Sequence, residues 1–178
     1  MSFTLILLIG FIGVVIIQSK KNQLSLMIGE NHKLVLKLKN SSWFQIYWKA
    51  GFFLFILNAA LFCLTISIFI ILGFLIIPYI HLLVMVMAVI GSFFFWIIVN
   101  MAWQGTNGNR LKLSIIGSSF YAIVSFLFIY WLITLKPTYE GEDMFMSSIG
   151  LLFGIIVSMV AFISCLITTG LTFKRKVS

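Results

Sequence analysis

Charged side chains are scarce in this sequence. Only 9% of its 178 residues are Asp, Glu, Lys or Arg, and 62% are hydrophobic, whereas a typical soluble domain has about 25% charged residues. A water-soluble fold of this length needs many polar residues to cover its surface. The scarcity of charge therefore excludes a soluble globular domain and predicts a chain whose solvent is the lipid bilayer.

Cysteine is nearly absent as well. The two cysteines, Cys63 and Cys165, each lie inside a long apolar run. A structural disulfide requires an oxidising compartment and closely spaced Cα atoms, and the sequence indicates neither. We interpret both cysteines as small packing residues, so the cysteine count identifies no cellular compartment.

Asp, Glu, Lys, Arg and His are missing from all of the long apolar runs. Proton relays, ion-coupled pumps and voltage sensors place such groups at membrane depth, and intramembrane hydrolysis needs a nucleophile–base pair or a set of metal ligands. The sequence also lacks the HExxH, GxSxG, CxxC and phosphate-loop motifs. These absences favour a non-enzymatic protein with no cofactor and no catalytic or metal site in the bilayer.

What the sequence does contain is a series of apolar runs long enough to cross a membrane. A spanning helix needs about 17–25 such residues, and the predicted spans are residues 2–18, 51–77, 82–103, 114–135 and 147–173. The first run has no basic residue before it and two lysines after it, which is typical of an uncleaved anchor and not of a secretory signal. The predicted fold is an all-α integral membrane protein, with residues 1–178 forming one bundle of about five transmembrane helices.

Residues 51–103 are 53 nearly uninterrupted apolar residues, too many for one helix across a core of about 30 Å. Pro78 lacks the amide hydrogen that a continuing helix needs, and His81 prefers the headgroup region. The run is therefore predicted to be a tight hairpin of two antiparallel helices that breaks near Pro78.

The longest segment between spans, residues 18–50, is strongly basic. It holds six lysines and one acid, Glu30. Residues 24–39 fit an amphipathic helix with lysines opposite an apolar stripe, and they also fit a short strand with alternate leucines on one face. We favour an interfacial helix that binds anionic lipid headgroups.

The distribution of basic residues predicts one orientation. If the N-terminus lies outside and the C-terminus inside, 11 of the 12 Lys and Arg residues lie in inner segments and only Lys136 lies outside, as the positive-inside rule requires. Because basic residues flank the apolar runs, the net charge of +8 indicates membrane orientation and not nucleic-acid binding. The abundance of Lys, Ile, Phe and Asn, whose codons are A/T-rich, favours the cytoplasmic membrane of a bacterium.

Small residues recur at helical spacing in three of the runs. The ladders are Gly150, Gly154 and Ser158; Ser114, Ser118 and Ala122; and Ala59, Cys63 and Ser67. In lipid, small residues at i and i+4 let helices approach closely. We expect these faces to pack against other helices of the same chain, and contact with a partner subunit or a second copy is the alternative.

Asn58 and Asn100 are the strongest polar groups within the runs. An amide in hydrocarbon gains about 0.6–2 kcal/mol from a partner on another helix. Interhelical hydrogen bonding is the favoured role for both residues, and lining of a polar substrate path is the alternative.

An acidic loop follows the fourth run. Glu140, Glu142 and Asp143, together with His81 from the hairpin turn, offer ligands for a divalent cation, but a calcium loop needs more ligands at fixed offsets. A solvated acidic loop is the favoured interpretation.

These features predict a non-enzymatic accessory or regulatory membrane protein, such as a subunit of a larger assembly or an immunity-type protector. It would act through helix contacts and its basic inner segment. A small permease or channel-forming subunit is the first alternative. An enzyme that acts on lipid headgroups through loop residues is the second.

The predicted orientation is testable by cysteine labelling. On a background that lacks Cys63 and Cys165, a cysteine at Gly141 should react with a membrane-impermeant reagent added outside, and cysteines at Ser41 and Asn107 should not. Permeabilised cells, in which all three should react, provide the control. Outside labelling at Ser41 would reverse the assigned orientation.

Overall fold

The computed structural model describes residues 12–16, 18–20, 23, 27–29, 32–75, 80–137 and 144–171. Within these residues the regular structure is helical and there is no strand. The helices in chain order are α1 (Lys33–Lys39), a 3₁₀ helix (Ser42–Gln45), α2 (Tyr47–Leu75), α3 (Ile80–Ala102), α4 (Asn107–Thr134) and α5 (Met144–Gly170).

Four of these helices, α2 to α5, are long and apolar enough to cross a membrane. They contain 29, 23, 28 and 27 residues, and at 1.5 Å per residue each exceeds a hydrocarbon core of roughly 30 Å. The regular structure of the described part of the chain is thus all-helical, and its four long helices are consistent with a multi-pass membrane protein. The first predicted span, residues 2–18, lies largely outside the described residues, and residues 12–16 within it are helical.

Two of the long helices begin before the charge-free runs do. α2 begins at Tyr47 instead of residue 51, and α4 begins at Asn107 instead of residue 114. Their first turns therefore carry basic residues, whose long side chains let the charge reach the headgroup layer from a helical backbone. The start of α4 is fixed by Thr106, whose side chain accepts a hydrogen bond from the Asn109 amide as an N-cap residue does.

α2 and α3 are adjacent and antiparallel, as the hairpin prediction requires. Gln45, which precedes α2, donates to the Ala102 carbonyl at the end of α3. Farther along α2, Asn58 accepts a hydrogen bond from Trp96, which lies earlier in α3. α2 ends before Pro78 and α3 begins after it, and Pro78 itself lies outside the described residues.

The four long helices form a ring of neighbours. α4 packs most extensively against α5 and α2, and α3 completes the ring by packing against α2 and α5. Early residues of α2 contact early residues of α4, so these two helices run parallel. Early residues of α4 contact the last turns of α5, so that pair runs antiparallel.

The tightly packed core lies at the end of the bundle where α2 and α4 begin. The deeply buried apolar side chains of the bundle include Phe44, Ala50, Leu54, Val99, Ala102, Leu113 and Cys165. At the other end, α2 and α3 expose large apolar side chains, including Phe74 at 82% and Leu83 at 64%. Lipid chains are as apolar as these side chains, so a membrane accommodates their exposure.

α1 lies along the C-terminal half of α3. Its Val35 side chain is buried, and the preceding His32 ring packs edge-to-face on Phe94 with 5.9 Å between ring centroids. Lys33 and Lys37 are exposed. Of the two alternatives for residues 24–39, the structure has a helix over the part that α1 covers.

Two glycines allow α2 and α4 to approach closely. A Cβ atom added at Gly117 of α4 would lie 2.7 Å from Leu54 Cβ, and one added at Gly51 of α2 would lie 2.9 Å from Ile116 Cβ. Neither position has room for a side chain. The two backbones therefore meet at these glycines, as small residues permit in membrane bundles.

Replacing Gly117 by alanine should loosen the contact between α2 and α4. The added methyl group overlaps Leu54, and overpacking of this kind costs about 1–3 kcal/mol. The free energy of unfolding is measured in mixed micelles with increasing amounts of sodium dodecyl sulfate.

Gly150 provides the matched control for this substitution. It is also a helical glycine, yet a Cβ atom added there meets nothing within 4 Å. Gly150→Ala should therefore be neutral or stabilise the protein by up to about 1 kcal/mol. Equal stability of the two variants would contradict the close approach of α2 and α4 at Gly117.

Candidate functional site

Asn58 joins α2 to the three other long helices. Its side chain is fully buried, and its Nδ2 donates to the Gly117 carbonyl of α4 at 3.0 Å and to Cys165 Sγ of α5 at 3.6 Å. Its Oδ1 accepts a hydrogen bond of 2.8 Å from Trp96 Nε1 of α3. One amide therefore fixes the relative positions of all four helices.

The chemistry of these partners allows a single orientation of the Asn58 amide. An indole N–H only donates and a backbone carbonyl only accepts. The Oδ1 atom must therefore face Trp96, and the Nδ2 atom must face Gly117. A flipped amide would leave the buried Trp96 N–H opposite another donor, which is costly in a medium without water.

Asn100 caps the C-terminal end of α5 from the neighbouring helix α3. Its two Nδ2 hydrogens are shared among three carbonyls, those of Thr168 at 2.7 Å, Thr169 at 3.0 Å and Leu171 at 2.8 Å. The last four carbonyls of a helix have no partner within that helix. Because Asn100 is only 3% exposed, it satisfies these carbonyls where water has little access.

Arg110 brings a positive charge to the same end of the bundle. Its guanidinium donates to Asn100 Oδ1 at 3.4 Å and to the Trp103 carbonyl at 3.3 Å. The C-terminal ends of α3 and α5 carry the negative poles of their helix dipoles, which a cation stabilises. Arg110 thus acts with Asn100 to hold the ends of two helices together.

Gln45 ties the 3₁₀ helix to α1 and α3. Its Nε2 donates to the carbonyls of Lys39 at 3.1 Å and Ala102 at 3.2 Å, and its Oε1 accepts from the Gln104 amide at 3.0 Å. Gln45 therefore donates to a backbone carbonyl at the C-terminal end of α3, as Asn100 does at the C-terminal end of α5.

Hydroxyl groups connect α4 with α5. Ser114 Oγ donates to the Leu166 carbonyl at 2.9 Å and lies 2.8 Å from Thr169 Oγ1. A Cβ atom added at Gly170 would meet the same Ser114 hydroxyl at 3.1 Å. Small residues thus let the two backbones approach while their hydroxyls bond across the contact.

The predicted small-residue ladders are placed unequally. Ser114, Ser118 and Ser158 are buried, Ala59, Ala122 and Gly154 are half-buried, and Cys63, Ser67 and Gly150 are exposed. A Cβ atom added at Gly154 would lie 2.9 Å from the Phe128 ring of α4. The packed face of α5 continues from Ser158 toward its C-terminal end, where further small polar side chains are buried.

Several residues of this network are not marked by the sequence analysis. They are Gln45, Gly51, Trp96, Arg110, Gly117, Thr168 and Thr169. Gly117 lies between Ser114 and Ser118 of one predicted ladder, and Thr168 and Thr169 lie about one turn before the end of the last apolar run. The sequence could therefore have indicated these residues. It could not have indicated Trp96, because a tryptophan in an apolar run equally fits lipid contact.

The expected acidic loop falls outside the described part of the chain. Glu140, Glu142 and Asp143 all lie there, and His81 is exposed at the start of α3. Among the described residues, no group of three His, Cys, Asp or Glu side chains is placed to hold a metal ion.

The interhelical network is built from amide, hydroxyl, thiol, indole and guanidinium groups. As far as the structure describes the chain, the network includes no carboxylate or imidazole to serve as a general base. Its chemistry is that of mutual hydrogen bonding. No protein family, curated protein or solved structure matches the chain.

Asn58→Leu should destabilise the bundle by about 1–3 kcal/mol. The substitution removes the bonds to three helices and leaves the buried Trp96 N–H without an acceptor. Trp96→Phe removes that donor, so the double variant should lose less stability than the sum of the two single variants. Unfolding in mixed micelles gives the three free energies.

Ser67→Ala is the control on the same helix. Its exposed hydroxyl bonds only to the Cys63 carbonyl one turn earlier, so its loss should leave stability unchanged. Strictly additive losses for Asn58→Leu and Trp96→Phe would show that the two side chains act independently.

Proposed function

We propose that this chain is a non-enzymatic accessory or regulatory membrane protein, acting as a subunit of a larger assembly or as an immunity-type protector. It crosses the cytoplasmic membrane of a bacterium about five times, with its N-terminus outside and its C-terminus inside. It acts through helix contacts with a membrane protein partner or a second copy, and through its basic inner face, without a cofactor.

The observation that carries this proposal is the complete engagement of the two intramembrane amides. Asn58 bonds to α3, α4 and α5, and Asn100 bonds to three carbonyls and to Arg110. A solute path needs polar groups that face the solute. Amides that are committed to the protein's own helices favour a packing role over a permease or channel.

A second observation concerns the half of α2 and α3 that lies away from the core. Large apolar side chains are exposed there, among them Ile70, Phe74, Leu83 and Met87. These positions contribute little to the packing of the described chain. Such a surface is available for contact with another membrane helix, as an accessory role requires.

The distribution of charge in the fold supports the proposed orientation. α1 and the first turns of α2 and α4 carry lysine or arginine, and the contacts of Gln45 and Arg110 bring these elements to one end of the bundle. Lys136 follows α4 at the opposite end. The positive-inside rule assigns the basic end to the cytoplasm.

The proposal is tested by purifying the tagged chain from its native membrane in a mild detergent. We expect one membrane protein to co-purify in a fixed ratio, as measured by quantitative mass spectrometry. Replacing the exposed Leu83 and Met87 by alanine should reduce that ratio several-fold without lowering the melting temperature. The same change at Ile133, exposed at 78% on α4, is the matched control.

The competing functions predict different results for the purified chain. A permease or channel would release potassium or a small sugar from sealed liposomes, and Asn58→Leu would abolish that release. An enzyme of lipid headgroups would change the phospholipid composition of those liposomes. Either activity in the absence of a partner would overturn the accessory role.

A further inference from the structure

A groove beside the N-terminal end of α2 takes no part in the interhelical network. Its volume is about 560 Å³. The side chains that line it are Trp43, Trp48, Lys49, Phe52, Phe53 and Ile56. All but one of them are apolar or aromatic, and the exception is a lysine.

The groove is built by α2 and by the 3₁₀ helix that precedes it. Residues 48, 49, 52, 53 and 56 share one face of α2 because they are three or four positions apart. Trp43 closes the other side, and its ring packs edge-to-face on Phe44 and Phe53 with centroid distances of 5.7 Å. Since Phe44 is fully buried, it anchors the 3₁₀ helix and holds Trp43 in place.

The one basic residue that lines the groove lies toward the start of α2. Lys49 lies near the first turn of α2, and Ile56 lies seven residues farther along, a rise of roughly 10 Å. Tryptophan side chains such as Trp43 and Trp48 prefer the interface between headgroups and acyl chains. In a phospholipid of the same leaflet, the charged headgroup would lie at the level of Lys49 and the acyl chains at the level of Ile56.

The lysine end lacks a counter-charge within the described part of the chain, which contains neither Asp nor Glu. The whole sequence has 12 basic residues and 4 acidic ones. The excess of basic residues favours an anionic ligand at this end.

The geometry points to a binding site for one anionic phospholipid in the leaflet that surrounds the start of α2. The Lys49 ammonium binds the phosphate, and one acyl chain lies along Phe52, Phe53 and Ile56. Trp48 and Phe52, exposed at 62% and 61%, form the contact surface. This site requires only that α2 spans a membrane, so it stands or fails independently of the accessory role.

The test is a lipid titration of the full-length protein in mild detergent, followed by native mass spectrometry. The probes are dioleoyl-phosphatidylglycerol and dioleoyl-phosphatidylcholine, which share their acyl chains and differ in net charge. We expect the first bound lipid to be held more tightly when it is the anionic one. Lys49→Gln should weaken that binding by about fivefold, the effect of one basic residue near an anionic headgroup. It should weaken the zwitterionic lipid by a smaller factor, because the choline cation offsets the charge of its phosphate.

Two further variants separate the headgroup contact from the acyl-chain contact. Phe52→Ala should weaken both lipids by a similar factor, because the acyl chain is common to them. Lys136→Gln removes an exposed lysine that follows α4 at the opposite end of the bundle, and it should preserve the preference for the anionic lipid. Melting temperatures equal to the parent show that each variant is folded.

Three results would overturn the site. The first is equal binding of the two lipids by the parent protein. The second is an equal loss for Lys136→Gln and Lys49→Gln, which would mean that the protein attracts anionic lipid through its overall charge and not through the groove. The third is a dimer that Phe52→Ala dissociates, which would assign the groove to a second copy of the chain.

Discussion

The packing of this bundle depends on the need of one buried amide for partners in a medium without water. Apolar side chains gain little by leaving lipid for a helix interface, so the hydrophobic effect does not decide which helix faces meet. Directional bonds do. Asn58 donates toward α4 and α5 and accepts from α3, and rotating α2 by one residue would break all of these bonds together.

The same constraint operates where the helices end. Backbone carbonyls in the last turn of a helix have no partner within it, and at the end of a membrane bundle water reaches them poorly. Asn100 and Gln45 supply hydrogen bonds from neighbouring elements to α5 and α3, respectively. Polar residues that are far apart in the sequence therefore connect the helices both at their ends, through Asn100 and Gln45, and farther inside the bundle, through Asn58.

The long helices are predictable from the sequence because a backbone in hydrocarbon must satisfy its own hydrogen bonds, and an apolar run leaves it no alternative to a helix. The polar role of Asn58 follows from the same reasoning. The partners of Asn58 cannot be predicted in the same way, because the packing of the whole bundle determines which helix faces Trp96. Spacing at i+4 likewise predicts that Gly150 and Gly154 share a face. It does not predict which side chain of a neighbouring helix each one meets, and only Gly154 lies against a ring of α4.

These constraints divide the molecule into two unequal parts. Around Asn58, substitutions of the closely packed glycines or of the buried polar residues should lower the stability of the fold. Each such change either overlaps a neighbouring side chain or leaves a buried hydrogen-bonding group without a partner. In the opposite half of α2 and α3, many side chains face outward and bond to nothing in the described chain. Substitutions there leave the hydrogen bonds of Asn58 intact. This half of the two helices can therefore change in sequence while the bonds around Asn58 hold the four helices together.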